Sequence, residues 1–489
     1  MSRQTRRSFL KKTAAASLGA SFVIAGTKAS GRVIGANDKI RVGVAGIHGR
    51  GNSHIADYLR KDVEIAYLID PDSRLFAGRT DRIKEKSGNT PKCVADVRKA
   101  LDDKNLDAIS IATPNHWHSL MAIWGCQAGK HVYVEKPCTH NVYEGGKLIE
   151  ASKKYGVIVQ HGTQQRSDQG RANEMAALNS GKYGEVLVAK GYCCKPRWSI
   201  GFKENKQPPK EVDFNLWLGP APMQPYHENL VHYNWHWFWD TGNGDMGNQG
   251  VHQTDVALWG LGKDQTLPNS VWSLGGRWVN EPDWKDQGET PNMLMSVFDF
   301  GGPLVVFETR GLVAKKPKGA TKEFPRKVDN EFYTTEGVMI SGTFYPKGGK
   351  KPEKVKYDGP KVTPGGPFGS FLAAVRSGKQ EDVNAPINKG HYASAICHLG
   401  NVSYRLGSNQ PFSKKPKYLG SDERVLKTLE IIKENLSGVG VKLDETEYCL
   451  GPVLKIDPKA GKFVGDHAEA ANKLLTREYR KGFVVPEKV

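Results

Sequence analysis

The segment from Lys39 to Asp70 restricts the possible folds of this chain more than any other feature. A β-branched, alternating stretch over residues 39–45 runs into a glycine cluster that begins at Gly46, and a helical pattern follows over about residues 52–60. A second buried-strand pattern then ends at Asp70. This order is typical of a dinucleotide-binding unit, because glycines let the backbone approach a pyrophosphate and the helix N-terminus offers free N–H groups. The sequence therefore predicts a doubly wound parallel sheet.

Asp70 indicates which dinucleotide this unit is expected to bind. The spacing from Gly46 to Asp70 is close to that between a phosphate-binding turn and the carboxylate that accepts the ribose hydroxyls. The charge of Asp70 would repel a 2′-phosphate, so NAD is expected, while the nearby Arg74 keeps NADP open as the weaker alternative. His48 stands where the motif has its middle glycine. Its side chain would crowd the pyrophosphate unless the turn shifts and Gly49 makes the close approach.

Two further buried-strand patterns end in polar clusters, Thr113 to His118 and Glu135-Lys136. Ligands of doubly wound sheets bind outside the C-terminal ends of the strands, so both clusters are candidates for the site. Glu135 and His118 also have structural interpretations, a packing ion pair and a helix cap.

The glycine turn, A-T-P-N-x-x-H and V-x-V-E-K-P, in that order, resemble the Gfo/Idh/MocA oxidoreductases, the family of glucose-fructose oxidoreductase and inositol dehydrogenase. The resemblance implies a Rossmann domain over residues 38–160 and a substrate and oligomerisation domain over residues 161–489. It also implies that Lys136 lies by the nicotinamide and the substrate hydroxyl, and that Asn115 borders the cofactor ribose. The predicted cofactor-binding residues are Gly46, Gly49, Arg50, Gly51, Asp70, Arg74, Thr113, Pro114, Asn115, His118, Glu135 and Lys136.

After about residue 160 the pattern changes to short helices, strands and long aromatic loops, which indicates an α+β domain built on a large, mostly antiparallel sheet. Trp235, Trp237 and Trp239 alternate at period two, so their indoles are expected on one side of a strand. Aromatic faces stack on the C–H faces of sugars, which makes Trp235 and Trp237 candidate substrate contacts, with core packing as the alternative. The basic, Pro/Gly-rich stretch 311–365 is expected to form a surface ribbon or a subunit contact.

A glycine-rich loop feeds a helix that carries His252 and Asp255 three residues apart on one face. The segment resembles the family's G-G-G-x-x-x-D-x-G-x-H-x-x-D, which implies that His252 is the acid/base for the reacting hydroxyl. The family's carboxylate four residues earlier is Asn248 here, which can hydrogen-bond a hydroxyl but cannot accept a proton. Either His252 works with Lys136 alone, or Asp245 or Asp255 supplies the carboxylate. The predicted catalytic residues are Lys136, His252 and Asp255, and the predicted substrate contacts are Asn248, Trp235 and Trp237.

The first 29 residues have the features of an export signal. Thr5-Arg-Arg-Ser-Phe-Leu-Lys11 precedes a weakly apolar, Ala/Gly/Ser-rich stretch and small residues around Ala29, which resembles a twin-arginine signal. The apolar stretch is too short for a stable anchor, so stable membrane insertion is not expected. The resemblance implies export of the folded protein, with its cofactor, to the periplasm.

The net charge, the cysteines and the histidines indicate whether nucleic acid or a metal ion is expected to bind. The net charge is +18, but six of the basic residues lie in the leader, and the chain shows no zinc-finger, RRM or helix-turn-helix pattern, so nucleic-acid binding is not expected. The seven cysteines include no C-x-x-C pair. His391 and His398, seven apart on a predicted helix, are expected to have core or capping roles, so no metal site is predicted.

Three functions follow from these features. The leading hypothesis is an exported NAD(P)-dependent oxidoreductase that transfers hydride to or from a secondary hydroxyl of a sugar or cyclic polyol, assembled as a homo-oligomer through its C-terminal sheet. A second is a glycosidase or lyase in which NAD oxidises the sugar transiently. The third is a non-catalytic sugar-binding protein, suggested by His48 and Asn248.

Overall fold

The computed structural model describes residues 38–279, 285–414, 416 and 422–489. The export signal predicted for residues 1–29 lies outside these ranges. Within them, no helix is both long and apolar enough to cross a membrane.

The first part of the described chain folds into a parallel sheet of six strands in the order β3-β2-β1-β4-β5-β6. Its strands are β1 (Ile40–Ala45), β2 (Val63–Ile69), β3 (Lys92–Val94), β4 (Ala108–Ile111), β5 (His131–Val134) and β6 (Val159–His161). The intervening helices are α1 (Arg50–Tyr58), α2 (Phe76–Ser87), α3 (Val97–Leu101), α4 (Asn115–Gln127) and α5 (Val142–Tyr155). Strand order reverses between β1 and β4, which opens a crevice at their C-terminal ends. The predicted doubly wound sheet is confirmed.

The central strands of this sheet, β1, β2, β4 and β5, are mostly buried and rich in apolar residues because helices cover both faces. Val42 and Val44 belong to one buried cluster together with Ile55 of α1. Ile109 of β4 belongs to a second cluster together with Leu120 of α4. The sheet is thus buried between two layers, and its exposed C-terminal edge remains for ligands.

The second sheet is large and mostly antiparallel, as predicted. Among the described residues it has twelve strands, ten of them in the order β14-β13-β12-β11-β7-β10-β9-β8-β16-β15, with β17 pairing with β8 and β18. Only the β7–β10 pair within it is parallel. The strands are β7 (Val186–Cys194), β8 (Ser270–Gly276), β9 (Met293–Asp299), β10 (Leu304–Arg310), β11 (Lys327–Thr334), β12 (Gly337–Ile340), β13 (Thr343–Pro346), β14 (Glu353–Lys354), β15 (Ser408–Pro411), β16 (Glu447–Leu450), β17 (Leu454–Asp457) and β18 (Lys462–Val464).

Helices cover both faces of this sheet as well. The helices that follow the Rossmann sheet in the described chain are α6 (Gln169–Asn179), α7 (Phe214–Leu218), α8 (Val251–Gly260), α9 (Gly366–Ser377), α10 (Ile387–Arg405), α11 (Glu423–Gly438) and α12 (Ala468–Lys473). On one face, α11 buries Val425, Leu429, Ile432 and Leu436, which the helical period places in one stripe. The other face packs on α8 and α10, and α8 thereby presents its first turn to the crevice of the Rossmann domain.

The predicted boundary at residue 160 coincides with the last strand of the Rossmann sheet, but the packing is not divided there. Phe368 and Phe371 of α9 lie in the same buried cluster as Val42 of β1. Phe483, near the end of the chain, belongs to the cluster of β4 and α4. The C-terminal segment therefore returns twice to complete the core of the first domain.

The stretch 311–365 differs from its prediction in part. Instead of a surface ribbon, β11 pairs with β7 inside the large sheet, and Phe332 is fully buried. Its apolar residues alternate with polar ones, so one face can join the core. Only β12 to β14 extend the sheet outward as hairpins.

Candidate active site

The turn between β1 and α1 brings the backbone very close to the neighbouring strand end. Gly46 has a φ of +76°, and a Cβ there would lie 2.6 Å from the backbone nitrogen of Thr113. A Cβ on Gly51 would lie 1.8 Å from the carbonyl oxygen of Gly46, so both positions need glycine. At Gly49, in contrast, no described atom lies within 4 Å of an added Cβ. Gly46, Gly49 and Arg50 line the main cavity, whereas Gly51 packs beneath the turn.

His48, which replaces the middle glycine of the motif, is held to one side of the turn. Its ring stacks on that of His232, with centroids 4.4 Å apart and planes 6° apart. His232 Nε2 lies 2.8 Å from the Asp72 carboxylate, and both histidines line the cavity. Because the His48 ring is engaged there, the approach over Gly49 stays open.

Asp70 lies at the end of β2 with its carboxylate almost completely buried, and it lines the cavity. Its two oxygens accept hydrogen bonds from the backbone N–H groups of Ile47 and Asp72, each at 2.9 Å. Burial raises the pKa of Asp70 to about 6, and these two bonds partly offset it. Arg74 pairs with Asp72 at 2.6 Å and does not line the cavity. Arg74, the cation that made NADP an alternative in the sequence analysis, is thus paired with Asp72 outside the cavity.

The polar residues after β4 line the cavity as a group: Thr113, Pro114, Asn115 and His118. The side-chain amide of Asn115 donates to Asn243 Oδ1 at 3.0 Å, across the two domains. His118 bridges two backbone segments, with Nδ1 2.6 Å from the Pro137 oxygen and Nε2 2.8 Å from the Thr113 oxygen. Burial lowers the pKa of His118. Its contacts fix the loops around the cavity rather than cap a helix.

Glu135, at the end of β5, is a buried carboxylate within a set of ion pairs. Its Oε1 accepts from Arg50 Nε at 2.7 Å and lies 3.1 Å from His54 Nε2. Burial opposes its ionisation, but the bonds from His54 and Arg50 outweigh burial and hold the pKa of Glu135 well below its usual range. Glu135 therefore ties α1 to β5 beside the next residue, Lys136.

Lys136 reaches from the Rossmann domain to the second domain. Its Nζ donates to the carbonyl oxygen of Asn248 at 2.6 Å, and Asn248 Oδ1 lies at 3.4 Å. Asn248 sits in a π-helical turn, Met246–Gly250, that leads directly into α8. Burial lowers the pKa of Lys136, which makes its neutral form more accessible than that of a solvated lysine. Both residues line the cavity.

His252, in the first turn of α8, faces the same cavity. Burial, with the charge of Lys136, lowers the pKa of His252 to about 3, so the ring is neutral near pH 7. Within the described ranges, the His252 ring makes no hydrogen bond to another residue. A neutral imidazole with both nitrogens available can bind a hydroxyl as donor or as acceptor.

The prediction that Asp255 is catalytic does not fit its position. Its carboxylate accepts from Arg166 Nε at 2.8 and 3.0 Å, both side chains are buried, and Asp255 does not line the cavity. The spacing of three residues from His252 does place both on one side of α8, but the buried arginine takes up the carboxylate. Asp245, the other carboxylate considered, pairs with Arg197 at 2.8 Å and is also outside the lining.

The prediction of a strand for the tryptophan-rich segment is wrong. Residues Asn234–Trp237 form a 3₁₀ helix, and no strand of the described structure pairs with them. A three-residue turn sends alternate side chains in different directions. Trp235 lines the cavity, whereas Trp237 packs under Arg197, whose guanidinium lies 5.1 Å from the ring centroid. The candidate substrate contact at Trp237 therefore has a packing role.

Together these residues surround a cavity of about 390 Å³. Several of its lining residues were not singled out from the sequence, which indicated only that long aromatic loops follow the Rossmann domain. These additional lining residues include Met121, Gln164, Leu216, Trp217, His232, Tyr233 and His236. Among the described residues, no group of three or more histidine, cysteine or carboxylate side chains is arranged to hold a metal ion.

Both domains contain segments that match a known protein family. Residues 40–163 match the family described as "Oxidoreductase family, NAD-binding Rossmann fold", and residues 183–274 match its "C-terminal alpha/beta domain". The chain is 26% identical to scyllo-inositol 2-dehydrogenase (NAD(+)) of Bacillus subtilis strain 168 over 309 residues, which covers 62% of this chain and 74% of that protein. It is 28% identical to a glycosyl hydrolase family 109 protein of Shewanella pealeana over 188 residues, 36% of this chain and 40% of the relative.

Among solved structures, levoglucosan dehydrogenase in complex with NADH has the same fold, with a TM-score of 0.53 at 17% identity. The match covers 74% of this chain and 96% of that one. The glycine turn, Asp70 and the two polar strand ends all lie within the matched residues 40–163, and His252 lies within 183–274. The chain is thus a member of the Gfo/Idh/MocA oxidoreductase family, and its first domain is the family's NAD-binding Rossmann domain.

Proposed function

We propose that this protein is an exported NAD-dependent dehydrogenase that acts on a secondary hydroxyl of a sugar or cyclic polyol. The proposal depends chiefly on one observation. Lys136 and His252 come from different domains, yet both line the cavity that contains the glycine turn and Asp70. An acid/base pair and a dinucleotide-binding turn in one cavity are the parts that alcohol oxidation requires.

The residues present fit NAD. The turn from Gly46 to Gly49 and the start of α1 would hold the pyrophosphate, since backbone N–H groups at a helix N-terminus favour anions. Asp70 would accept the hydroxyls of the adenosine ribose, and Asn115 would border the other ribose. When bound, NAD supplies the hydride acceptor, and NADH the hydride donor.

Lys136 is the better proton acceptor of the two candidates. The His252 pKa of about 3 makes the ring a weak base, whereas burial lowers the Lys136 pKa and so makes its neutral amine, which can accept a proton, more accessible. In oxidation, unprotonated Lys136 Nζ would take the hydroxyl proton while His252 holds the hydroxyl oxygen. Asn248, whose carbonyl accepts from Nζ, would keep the amine directed into the cavity.

The sugar or polyol class is supported by the lining and by the relatives. Trp235 offers an indole at the cavity wall, with His236 and Tyr233 beside it. Such surfaces bind the C–H faces and hydroxyls of sugars. An inositol dehydrogenase is among the relatives, and a levoglucosan dehydrogenase shares the fold.

Steady-state NADH formation tests the activity. The purified protein, incubated with NAD and a panel of inositols, free sugars and anhydrosugars, should produce NADH and a ketone with at least one member. The similarity to a glycosyl hydrolase family 109 protein supports a second candidate function, a glycosidase or lyase that oxidises the sugar only transiently. That reaction would release a leaving group from a glycoside without net NADH. The absence of NAD binding would instead support the third hypothesis, a sugar-binding protein without redox activity.

Export and assembly are separate parts of the proposal. Export is supported by the arginine pair in residues 5–11. Replacing both Arg6 and Arg7 with lysine should retain the protein in the cytoplasm, whereas unchanged periplasmic protein would remove the twin-arginine interpretation. Assembly through the C-terminal sheet predicts a mass above that of one chain in light scattering.

A further inference from the structure

A second cavity, of about 230 Å³, lies apart from the active site. It is enclosed by the loop that follows the 3₁₀ helix, residues 239–243, by one face of α10, and by the segment 473–477 near the chain end. Residues 398, 402 and 405 of α10 line it at the spacing of one helical face. The lining combines cationic side chains with neutral imidazoles.

Arg477 is the cation most deeply placed in this lining. Its Nη1 donates to His140 Nδ1 at 3.2 Å and to the carbonyl oxygen of Asp240 at 2.9 Å. Its Nη2 is buried and has no hydrogen-bond partner among the described residues. The Asp240 carboxylate is 3.8 Å away and half exposed, so it compensates this charge poorly. A buried N–H of a charged group without an acceptor is costly, and an anion would remove that cost.

The two histidines of the cavity are neutral polar groups. Arginine can only donate, so His140 Nδ1 is an acceptor and its proton is on Nε2, which donates to the Gly242 oxygen at 3.2 Å. Burial, followed by Arg477, lowers the pKa of His140 well below its usual range. His398 bonds Thr139 through Nε2 at 3.3 Å, and its Nδ1 is buried without a partner in the described structure. His398 therefore offers a second unpaired polar atom.

Arg405 completes the basic side of the cavity. Its guanidinium lies 5.2 Å from the centroid of the Trp239 ring and, within the described ranges, has neither a hydrogen bond nor an ion pair. The other charges nearby are Lys473, which pairs at the surface with Glu469, and the carboxylates of Asp240 and Glu289. Glu289 already accepts from the Trp239 backbone N–H at 2.8 Å.

We propose that this cavity binds a small oxyanion, phosphate or carboxylate, between Arg477 and Arg405, with His398 Nδ1 as a third polar contact. The cavity, at about 230 Å³, is large enough for such a group together with water molecules. The site is independent of the proposed dehydrogenase activity, since none of these three residues lines the main cavity. The two arginines supply fork-shaped donors from two separate elements, which suits a planar or tetrahedral oxyanion.

Titration calorimetry of the whole, NAD-saturated protein tests the site. Saturation with NAD keeps the pyrophosphate region occupied, and sodium chloride holds the ionic strength constant. Inorganic phosphate and acetate are titrated separately, so that a preference for one identifies a tetrahedral or a carboxylate ligand. At least one of them should give saturable binding at one site per chain. The absence of saturable binding by both would overturn the proposal.

Substitutions locate the binding. Arg477→Gln and Arg405→Gln should each weaken the preferred anion about tenfold or more, because each removes a charge-assisted contact. Arg477→Lys, which keeps the charge, should weaken it less. Lys481→Gln is the matched control, since it removes one exposed positive charge from the same tail outside the cavity, and binding should stay within twofold. Arg405 is exposed, so its variant should fold even if an Arg477 variant does not. Unchanged affinity in Arg405→Gln and in folded Arg477→Gln would refute the site.

Discussion

Replacing Asp255 with asparagine should destabilise the protein without removing its chemistry. The Asp255 carboxylate and the Arg166 guanidinium are both almost fully buried and make two bonds of 2.8 and 3.0 Å. Breaking a buried pair by removing one charge typically costs about 3–5 kcal/mol, because the other charge stays buried. Here Arg166 keeps a second carboxylate, Asp264 at 3.1 Å, and the face of Trp259 at 4.9 Å. The expected loss is therefore near the lower end, about 3 kcal/mol.

The assay is equilibrium unfolding in guanidinium chloride, followed by tryptophan fluorescence, together with turnover of the folded variant at its optimal NAD concentration. The matched control is Glu430→Gln, the same acid-to-amide change in an exposed pair with Lys433 at 3.1 Å, which should cost at most about 1 kcal/mol. Two results would refute the reasoning: a loss of stability no greater than that of the control, or a hundredfold loss of turnover in a protein that remains fully folded.

Three further predictions concern the main cavity. Lys136→Met and His252→Gln should each lower turnover by about 10²–10⁴ while NAD binding persists, and wild-type oxidation should rise with pH to a midpoint below the usual lysine value. For Asp70, with a pKa of about 6, the preference for NAD over NADP should fall as the pH drops below 6, because protonation removes the repulsion of the 2′-phosphate. The 2′-phosphate also titrates near pH 6. The pH dependence of the preference for NAD over NADP is therefore measured by fluorescence titration in the wild type and in Asp70→Asn, and the difference between the two slopes reports Asp70. Trp235→Ala should raise the KM for the sugar substrate, whereas Trp237→Ala should lower the melting temperature and leave the KM within a few-fold.

The parts of the fold and site that the sequence predicts are those set by local pattern. The strand ends at Asp70, Thr113 and Glu135 follow from apolar runs that stop at polar residues, and parallel strands necessarily bring such ends to one edge. The glycine at position 46 indicates a tight turn, and the structure shows the positive φ and the close backbone approach that require it. These features need only a few neighbouring residues to be recognised.

The features that the sequence misses depend on contacts between distant segments. Period-two tryptophans form a strand only if another strand is available to pair with them, and here none is among the described residues. Asp255 has the spacing of a catalytic residue, but Arg166, 89 positions earlier, neutralises it. The stacking of His48 on His232 likewise joins two domains. Such contacts between distant residues leave no periodic pattern in the sequence.

The replacement of the family's carboxylate by Asn248 bears on how Lys136 is tuned, and it makes a last prediction. Lys136 Nζ donates mainly to the backbone carbonyl of residue 248, at 2.6 Å, and the side-chain oxygen is farther away at 3.4 Å. The acceptor that orients the amine therefore survives any side chain at this position. A neutral amide beside Nζ leaves burial to lower the Lys136 pKa, whereas a carboxylate there would favour the charged amine and raise it. Asn248→Asp should thus shift the rising limb of the pH–rate profile to higher pH, with turnover at a fixed pH below the midpoint falling about tenfold for each pH unit of the shift. Asn248→Gln, which adds no charge, is the control and should leave the midpoint in place. A midpoint unmoved by the aspartate would mean that the proton acceptor is a group other than Lys136.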